Sequence, residues 1–457
     1  MNRQHSIEQD KIKRRSNFEP VEETFTKEMA EKEASRCLNC KNPRCVQGCP
    51  VNIQIPKFIQ EIKNGNTEKA GEIIRETSML PSVCGRVCPQ EKQCEGNCVL
   101  GIKGEAVAIG ALERYAGDNT SAEKTDIKPS GKKVAVIGSG CAGITAAADL
   151  RKAGHEVTVF EALHKFGGVL RYGIPPFRLP RTVLDKELNN LKEMGVIFKK
   201  NVIIGKSLTL KQLQDDGFDA IFICSGAGLP KMMNIKGENL NRVFSANEFL
   251  TRVNLMQAND NSTATPLKTG EKVAVIGGGN VAMDAARTAV RVGFKEVYIV
   301  YRRTEKELPA RLEEIRHAKE EGIIFKFLHA PVEIIDNNGY VGGMKFEICE
   351  LGEKDSSGRQ RPVGTGEYVT MDVDTVIVAL GTGPNPIIQA SAKDDGINFD
   401  VDKYGYFTVD EETRETSVPK IFAGGDVAPV GKSNAINAMG AGKKAAKAIN
   451  EYLSKNV

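Results

Sequence analysis

Apolar residues recur at helical spacing through residues 26–36 (TKEMAEKEASR), 54–77 and 103–116, which predicts a small helical unit over the first 117 residues. From Gly117 to Lys133 the run GDNTSAEKTDIKPSGKK shows no apolar periodicity and carries Pro, Ser and Gly, the composition of a linker. Beyond it the pattern changes to short unbroken apolar runs punctuated by glycine. KKVAVIGSGCAGITAAADLRKAGHEVTVFEA reads as a buried strand, a Gly-rich turn, a helix and a second strand ending at Glu161. The pattern returns later as EKVAVIGGGNVAMDAARTAVRVGFKEVYIVYRR, so the chain holds two copies of one unit. Near the end DTVIVALGTGPNP and KIFAGGDVAPV each read as a strand running into a turn. The expected architecture is α/β: a helical unit (1–117), a first dinucleotide-binding unit split between 132–260 and 383–457, and a second unit (265–382) inserted into it.

Composition narrows the function. The 63 Lys and Arg stand against 59 Asp and Glu, a net charge of +4 with no basic stripe, which argues against a nucleic-acid partner. No run reaches the roughly 18 apolar residues of a membrane span, and the first twenty residues lack the apolar core of a signal peptide, so a cytoplasmic protein without a membrane partner is expected. The five histidines (His5, His155, His164, His317, His329) are scattered among ordinary neighbours and read as structural. With no Ser/His/Asp constellation apparent, the chemistry falls to bound cofactors.

In the first unit Gly138, Gly140 and Gly143 form G-x-G-x-x-G: one glycine for the tight turn, one to admit a pyrophosphate, one for close helix packing. The helix that follows offers free N–H groups and its positive dipole end to phosphates. Glu161 ends the next strand, where a carboxylate can accept from ribose hydroxyls. The second unit carries Gly277, Gly279 and Ala282, a G-x-G-x-x-A variant, and its matching strand end is Arg302. A carboxylate there would repel a 2′-phosphate, whereas Arg302 and Arg303 can bond to it, which favours NADPH over NADH.

Eight of the eleven cysteines lie in the first 98 residues. Cys37, Cys40, Cys45 and Cys49 are spaced C-x2-C-x4-C-x3-C-P, and Cys84, Cys88, Cys94 and Cys98 are spaced C-x3-C-x5-C-x3-C. Such runs suit iron–sulfur clusters. Zinc would ordinarily pair two short knuckles across a longer loop, and no histidine accompanies these thiols; disulfide stapling does not suit so uneven a distribution.

Two dinucleotide units followed by A-G-G-D (Ala423 to Asp426) resemble the two-dinucleotide-binding flavoprotein disulfide-reductase superfold. That resemblance implies FAD in the first site, Gly425 and Asp426 near its phosphate and ribitol, and the helix from Ala435 to Ile449 aimed at the isoalloxazine. ASRCLNCKNPRCVQGCPV, LPSVCGRVCPQEKQCEGNCVLG, VAIGALERY, FGGVLRYGIPPFRLP, GGGNVAMDAARTA, YRRTEKELPAR and FAGGDVA together resemble the glutamate synthase small (beta) subunit family. That family is shared with the large subunit of NADH-dependent reduced ferredoxin:NADP oxidoreductase and the N-terminal part of dihydropyrimidine dehydrogenase.

The match covers nearly the whole chain. It implies two [4Fe-4S] clusters, one on Cys37, Cys40, Cys45 and Cys98, the other on Cys49, Cys88, Cys94 and Glu113, with Cys84 spare and packing only. It also places Gly168, Asn280 and Val281 at the cofactors. Cys141 departs from the family, which often has Pro there, and APVGKSNAINAMGAG after Asp426 is idiosyncratic. The implied activity passes electrons from NADPH through FAD and the clusters to a partner. That partner is a glutamate synthase large subunit or, alternatively, a ferredoxin-linked flavoprotein subunit in a bifurcating hetero-oligomer. A thioredoxin-reductase-like activity would need a cysteine pair beside the flavin, and the C-x-x-C at Cys37 and Cys40 lies in the helical unit; a zinc-bearing scaffold is the non-enzymatic rival.

Overall fold

The computed structural model describes residues 2–121, 126–260, 262–267, 270–355, 358–429, 431 and 434–455. The helical unit opens with α1 (Lys27–Ala34), whose N-cap Thr26 accepts a hydrogen bond from the Met29 N–H. The stretch 54–77 forms two helices, α2 (Ile55–Lys63) and α3 (Thr67–Arg75), because Gly65 between them adopts φ 78°, a left-handed value that ends the first. Next comes α4 (Pro81–Val87), with Pro at its first position. α5 (Ile109–Asn119) begins later than its apolar pattern suggested, residues 103–108 forming a turn and an irregular stretch, and it runs past 117. The linker therefore follows Asn119, and its residues 122–125 lie outside the described ones.

The first unit supplies β1 (Lys133–Ile137), α6 (Cys141–Lys152), β2 (Glu156–Glu161), β3 (Ile197–Lys200) and β4 (Ala220–Ile223). The chain then passes to the second unit through β5 (Leu229–Pro230). There follow β6 (Val243–Ser245), α7 (Ala246–Asn254), β7 (Lys272–Ile276), α8 (Asn280–Arg291), β8 (Glu296–Tyr301), α9 (Leu312–Glu320) and β9 (Ile324–Phe327). An antiparallel meander, β10 (His329–Asn337), β11 (Tyr340–Lys354) and β12 (Gln360–Met371), leads to β13 (Thr375–Val378). The chain returns through β14 (Thr382–Gly383), antiparallel to β5, and ends with β15 (Ile421–Ala423) and α10 (Ala435–Lys455).

Both five-stranded sheets are parallel and share one order, β15-β4-β1-β2-β3 and β6-β13-β7-β8-β9. The boundary expected at 260 moves. β6 pairs with β13, and Phe249, Leu250 and Val253 of α7 pack with Val273, Val275 and Ile299, so residues 243–254 belong to the second unit and the chain crosses over at β5. A three-residue strand carries too little pattern to declare which sheet edge will take its hydrogen bonds.

The helical unit shares its core with the first sheet. Phe58, Ile59, Ile74 and Leu112 are continuous with Val134, Val136 and Ile144, and with Met439 and Ile449 of α10. The second unit is held by buried charge. Arg178, in the loop after β2, binds Asp284 of α8 at 2.6 Å and Glu314 of α9 at 2.8 Å. Glu321, with a fully buried side chain, accepts from Arg14 at 3.0 Å, from Arg287 at 2.9 Å and from Arg291 at 2.7 Å. Phe177 lies beneath the guanidinium groups of Arg287 and Arg291. Burial pushes the Glu321 carboxyl up, yet Arg291 and Arg287 together hold it down at about 2. Among the described residues no helix is long and apolar enough to cross a membrane.

Glu321→Gln leaves three guanidinium groups buried against a neutral side chain. It is expected to cost about 3–5 kcal/mol of stability in denaturant titration at pH 7. Because the Glu321 pKa is depressed on folding, that contribution is complete above the ordinary carboxylate value of 4.5 and is lost as the pH falls toward about 2. The variant's deficit should therefore shrink in acid.

Candidate functional site

The first Gly-rich turn shows three glycine roles as contacts. A Cβ on Gly138 would stand 2.5 Å from the Cys224 carbonyl, and one on Gly143 would stand 2.0 Å from the Gly138 carbonyl; at Gly140 nothing lies within 4 Å. The turn is thus packed from behind and open in front, at the N-terminus of α6, where a phosphate meets backbone N–H groups. Glu161 is buried at the end of β2 and accepts from the Ser139 N–H at 3.1 Å, the Ser139 hydroxyl at 2.5 Å and the Leu163 N–H at 2.9 Å. Ser139 also accepts from Gly167 N–H at 2.9 Å. This serine escaped the sequence reading; its signal is a small polar residue inside the turn, facing the acid that ends the next strand.

Gly168, at φ 52°, has its missing Cβ 2.9 Å from the Gly140 Cα, so the segment after β2 lies directly on the turn. Gly425 comes from the far end of the chain to the same place: a Cβ there would stand 3.1 Å from Ala142 Cβ. Asp426 is close enough that its charge adds to the burial raising the Cys141 thiol and the Tyr172 hydroxyl, the latter to about 12. α10 lies along α6, Gly442 against the Ala142 carbonyl; residues 432 and 433, just before α10, lie outside the described ones.

The second turn repeats the geometry. A Cβ on Gly277 would stand 2.4 Å from the Ala379 carbonyl, while Gly279 faces open space. Asn280 begins α8 and accepts from the Arg311 N–H at 2.9 Å, and Val281 beside it is exposed. At the end of β8 the two arginines part company. Arg302 is exposed, whereas Arg303 is buried and donates to Asp355 at 2.8 Å and to the Gln360 carbonyl at 2.7 Å. Of the pair, Arg302 alone remains available to a 2′-phosphate, because Arg303 is taken up tying β8 to the meander.

The thiols gather into two sets that interleave the two sequence runs. Cys37, Cys40, Cys45 and Cys98 line one cleft with Ile55, Ile59 and Val107. Burial, with the neighbouring Cys37 and Cys98, pushes Cys45 up to about 11. Cys49, Cys88 and Cys94 are buried around Glu113. Burial, then the Glu113 carboxyl, pushes Cys49 to about 11, and burial alone lifts Glu113 to about 8. Glu113 Oε1 has no hydrogen-bond partner among the described residues. Three buried thiols and an orphaned carboxyl oxygen resist ionising together, and a cationic centre between them would favour their anionic forms and take up the free oxygen lone pair. The residues present fit an iron–sulfur group at both places.

The histidines take structural partners where bonds are seen. His155 bridges Ser130 at 2.8 Å and Asn450 at 3.0 Å, and His329 contacts the Phe327 carbonyl at 2.6 Å. His317 converges with Glu8 and Glu22, but Glu8 is already paired with Arg14 at 3.2 Å and with Arg316 at 2.5 Å, which leaves little charge for a cation.

Residues 14–125 match the family model described as dihydropyrimidine dehydrogenase domain II, 4Fe-4S cluster, and residues 121–442 match that of pyridine nucleotide-disulphide oxidoreductase. The chain is 36% identical to the glutamate synthase [NADPH] small chain of Escherichia coli (strain K12), over 96% of this chain and 95% of that one. It is 38% identical to the NADP(+)-dependent formate dehydrogenase subunit beta of Moorella thermoacetica, over 90% of this chain and 60% of that one. Among solved structures, FprA from Mycobacterium tuberculosis shares the fold with a TM-score of 0.56 at 23% identity, covering 72% of this chain and 85% of that one. Thioredoxin reductase from T. acidophilum gives 0.51 at 20% identity, covering 70% of this chain and 99% of that one.

Arg302→Glu is expected to weaken NADPH binding far more than NADH binding in parallel titrations, while Arg303→Met should chiefly lower thermal stability. Glu113→Ala is expected to alter the spectrum or potential of one iron–sulfur centre and to spare flavin content; unchanged centres would reduce Glu113 to a buried acid without a ligand role.

Proposed function

We propose, for a chain that belongs to the glutamate synthase small-chain family of pyridine nucleotide-disulphide oxidoreductases, a route that admits electrons at the second dinucleotide unit and releases them through the helical unit to a partner subunit. The carrying observation is the arrangement of the thiols: one set is buried in the core that the helical unit shares with the first sheet, and the other lies in a cleft whose four cysteines are only half-buried. An electron source inside and an outlet at the surface fit that order.

Gly277, Gly279, Asn280 and Val281 receive the NADPH pyrophosphate at the N-terminus of α8, and Arg302 selects the 2′-phosphate. Gly138, Gly140, Gly143 and Gly168 receive the FAD pyrophosphate, Glu161 accepts from the adenosine ribose, and Gly425 and Asp426 close the site from β15. A bound flavin takes an electron pair as hydride and gives electrons up singly, which suits it to stand between a nicotinamide and iron–sulfur centres. Cys49, Cys88, Cys94 and Glu113 hold the nearer [4Fe-4S] cluster, and Cys37, Cys40, Cys45 and Cys98 hold the outer one. The packed core between helical unit and first sheet keeps these sites from drifting apart. The partner is a glutamate synthase large subunit in a cytoplasmic hetero-oligomer, where the electrons reduce 2-oxoglutarate plus glutamine to glutamate.

Protein purified without oxygen is expected to show flavin bands on a broad brown absorbance, with roughly eight irons and matching acid-labile sulfide per chain. A yellow protein without iron would overturn the route. Affinity purification from the native cell is expected to bring down the glutamate synthase large subunit; recovery of a small ferredoxin-linked flavoprotein subunit in its place would assign the chain to electron bifurcation.

A further inference from the structure

Cys84 belongs to neither ligand set that the family resemblance implies, yet its place in the fold is specific. It lies on α4, 1% exposed, one helical turn before Cys88, whose N–H donates to the Cys84 carbonyl at 3.1 Å. The Cys84 and Cys88 side chains are hydrogen-bonded to each other, so Cys84 lies against the set that Cys88 belongs to. Across the interface the Cys84 thiol donates to Met439 Sδ at 3.4 Å, and the Ser78 hydroxyl stands 3.9 Å away.

Met439 is fully buried on α10, the helix that lies against α6 and the first Gly-rich turn. Its neighbour Gly440 faces the Pro50 carbonyl and Val51, the residues that follow Cys49. Residues 439–440 therefore touch both chain segments that carry the buried set, from the helix that also packs on the flavin side. Cys84 also lies near Cys141, the first residue of α6, adding to the burial that raises that thiol.

We propose that the Cys84–Met439 sulfur contact is the bridge by which electrons cross from the flavin site to the buried cluster, with both residues acting as positioning residues rather than ligands. The inference deepens the electron route proposed above and rests on it. Each NADPH delivers two electrons and one proton as hydride. One electron crosses per step, oxidising the flavin side by one and reducing the cluster by one; the proton leaves on the flavin side. Two polarizable sulfurs in contact fill the gap without a void, and a thiol beside a ligating cysteine tunes the centre through its hydrogen bonding.

Anaerobic stopped-flow mixing of NADPH with the holoprotein, followed at flavin and cluster wavelengths, tests it. Cys84→Ala and the volume-conserving Met439→Leu are each expected to leave the flavin phase at the wild-type rate and to slow the cluster phase severalfold, with full iron content. The double variant should be no slower than the slower single variant, since both changes remove one contact. A cluster phase unchanged in both single variants would overturn the proposal. So would loss of half the iron from Cys84→Ala, which would make Cys84 a ligand. Wild-type protein that binds no iron would instead sink the electron route itself, a failure that iron analysis tells apart.

Discussion

The continuous apolar core joining the helical unit to one face of the first sheet is the constraint on which the rest depends. Redox centres exchange electrons only across short, fixed gaps, so a cysteine-bearing unit on a flexible tether would be of little use. Here Phe58, Ile59 and Leu112 share a core with Val134, Ile144 and Met439, and sliding one unit over the other would expose much of it. Within the first unit a small residue brings α10 onto α6: Gly442 sits where any side chain would strike the Ala142 carbonyl. The buried thiols Cys49, Cys88 and Cys94 belong to the same packed core as Cys141, which opens α6.

The second unit is attached by different physics. Its contact with the first unit and the N-terminal segment is built from paired charges around Glu321, Glu314 and Arg178, with Phe177 between the guanidinium groups. Such pairs contribute little net stability over apolar packing, but they tolerate only one arrangement, because a shift leaves a buried charge alone. That registry sets where the second turn lies relative to the first.

The two dinucleotide units also show one motif repeated with a different charge at the strand end. β1-α6-β2 and β7-α8-β8 repeat the same turn, with Gly140 and Gly279 open in front and Gly138 and Gly277 packed behind. They part at the strand end. Glu161 is buried, clamped by Ser139 and suited to ribose hydroxyls; Arg302 is exposed and suited to a phosphate.

Both turns, the strands and helices that flank them and the cysteine runs were legible in the sequence, because each depends on local spacing: short unbroken apolar runs, period-3.6 patterns, glycines at fixed intervals, thiols a few residues apart. What lay beyond local spacing was decided by the fold. Arg302 and Arg303 are adjacent and chemically alike, and only the meander, by supplying Asp355, turned one inward. β6 is too short to announce its sheet, and only the free edge of β13 assigned it to the second unit. Cys84 looked idle in its run until α10, more than 350 residues along the chain, brought Met439 against it. Contacts of such sequence separation leave no periodic trace; they exist because burying apolar surface and pairing buried charge admit one arrangement of the elements that local pattern had already specified.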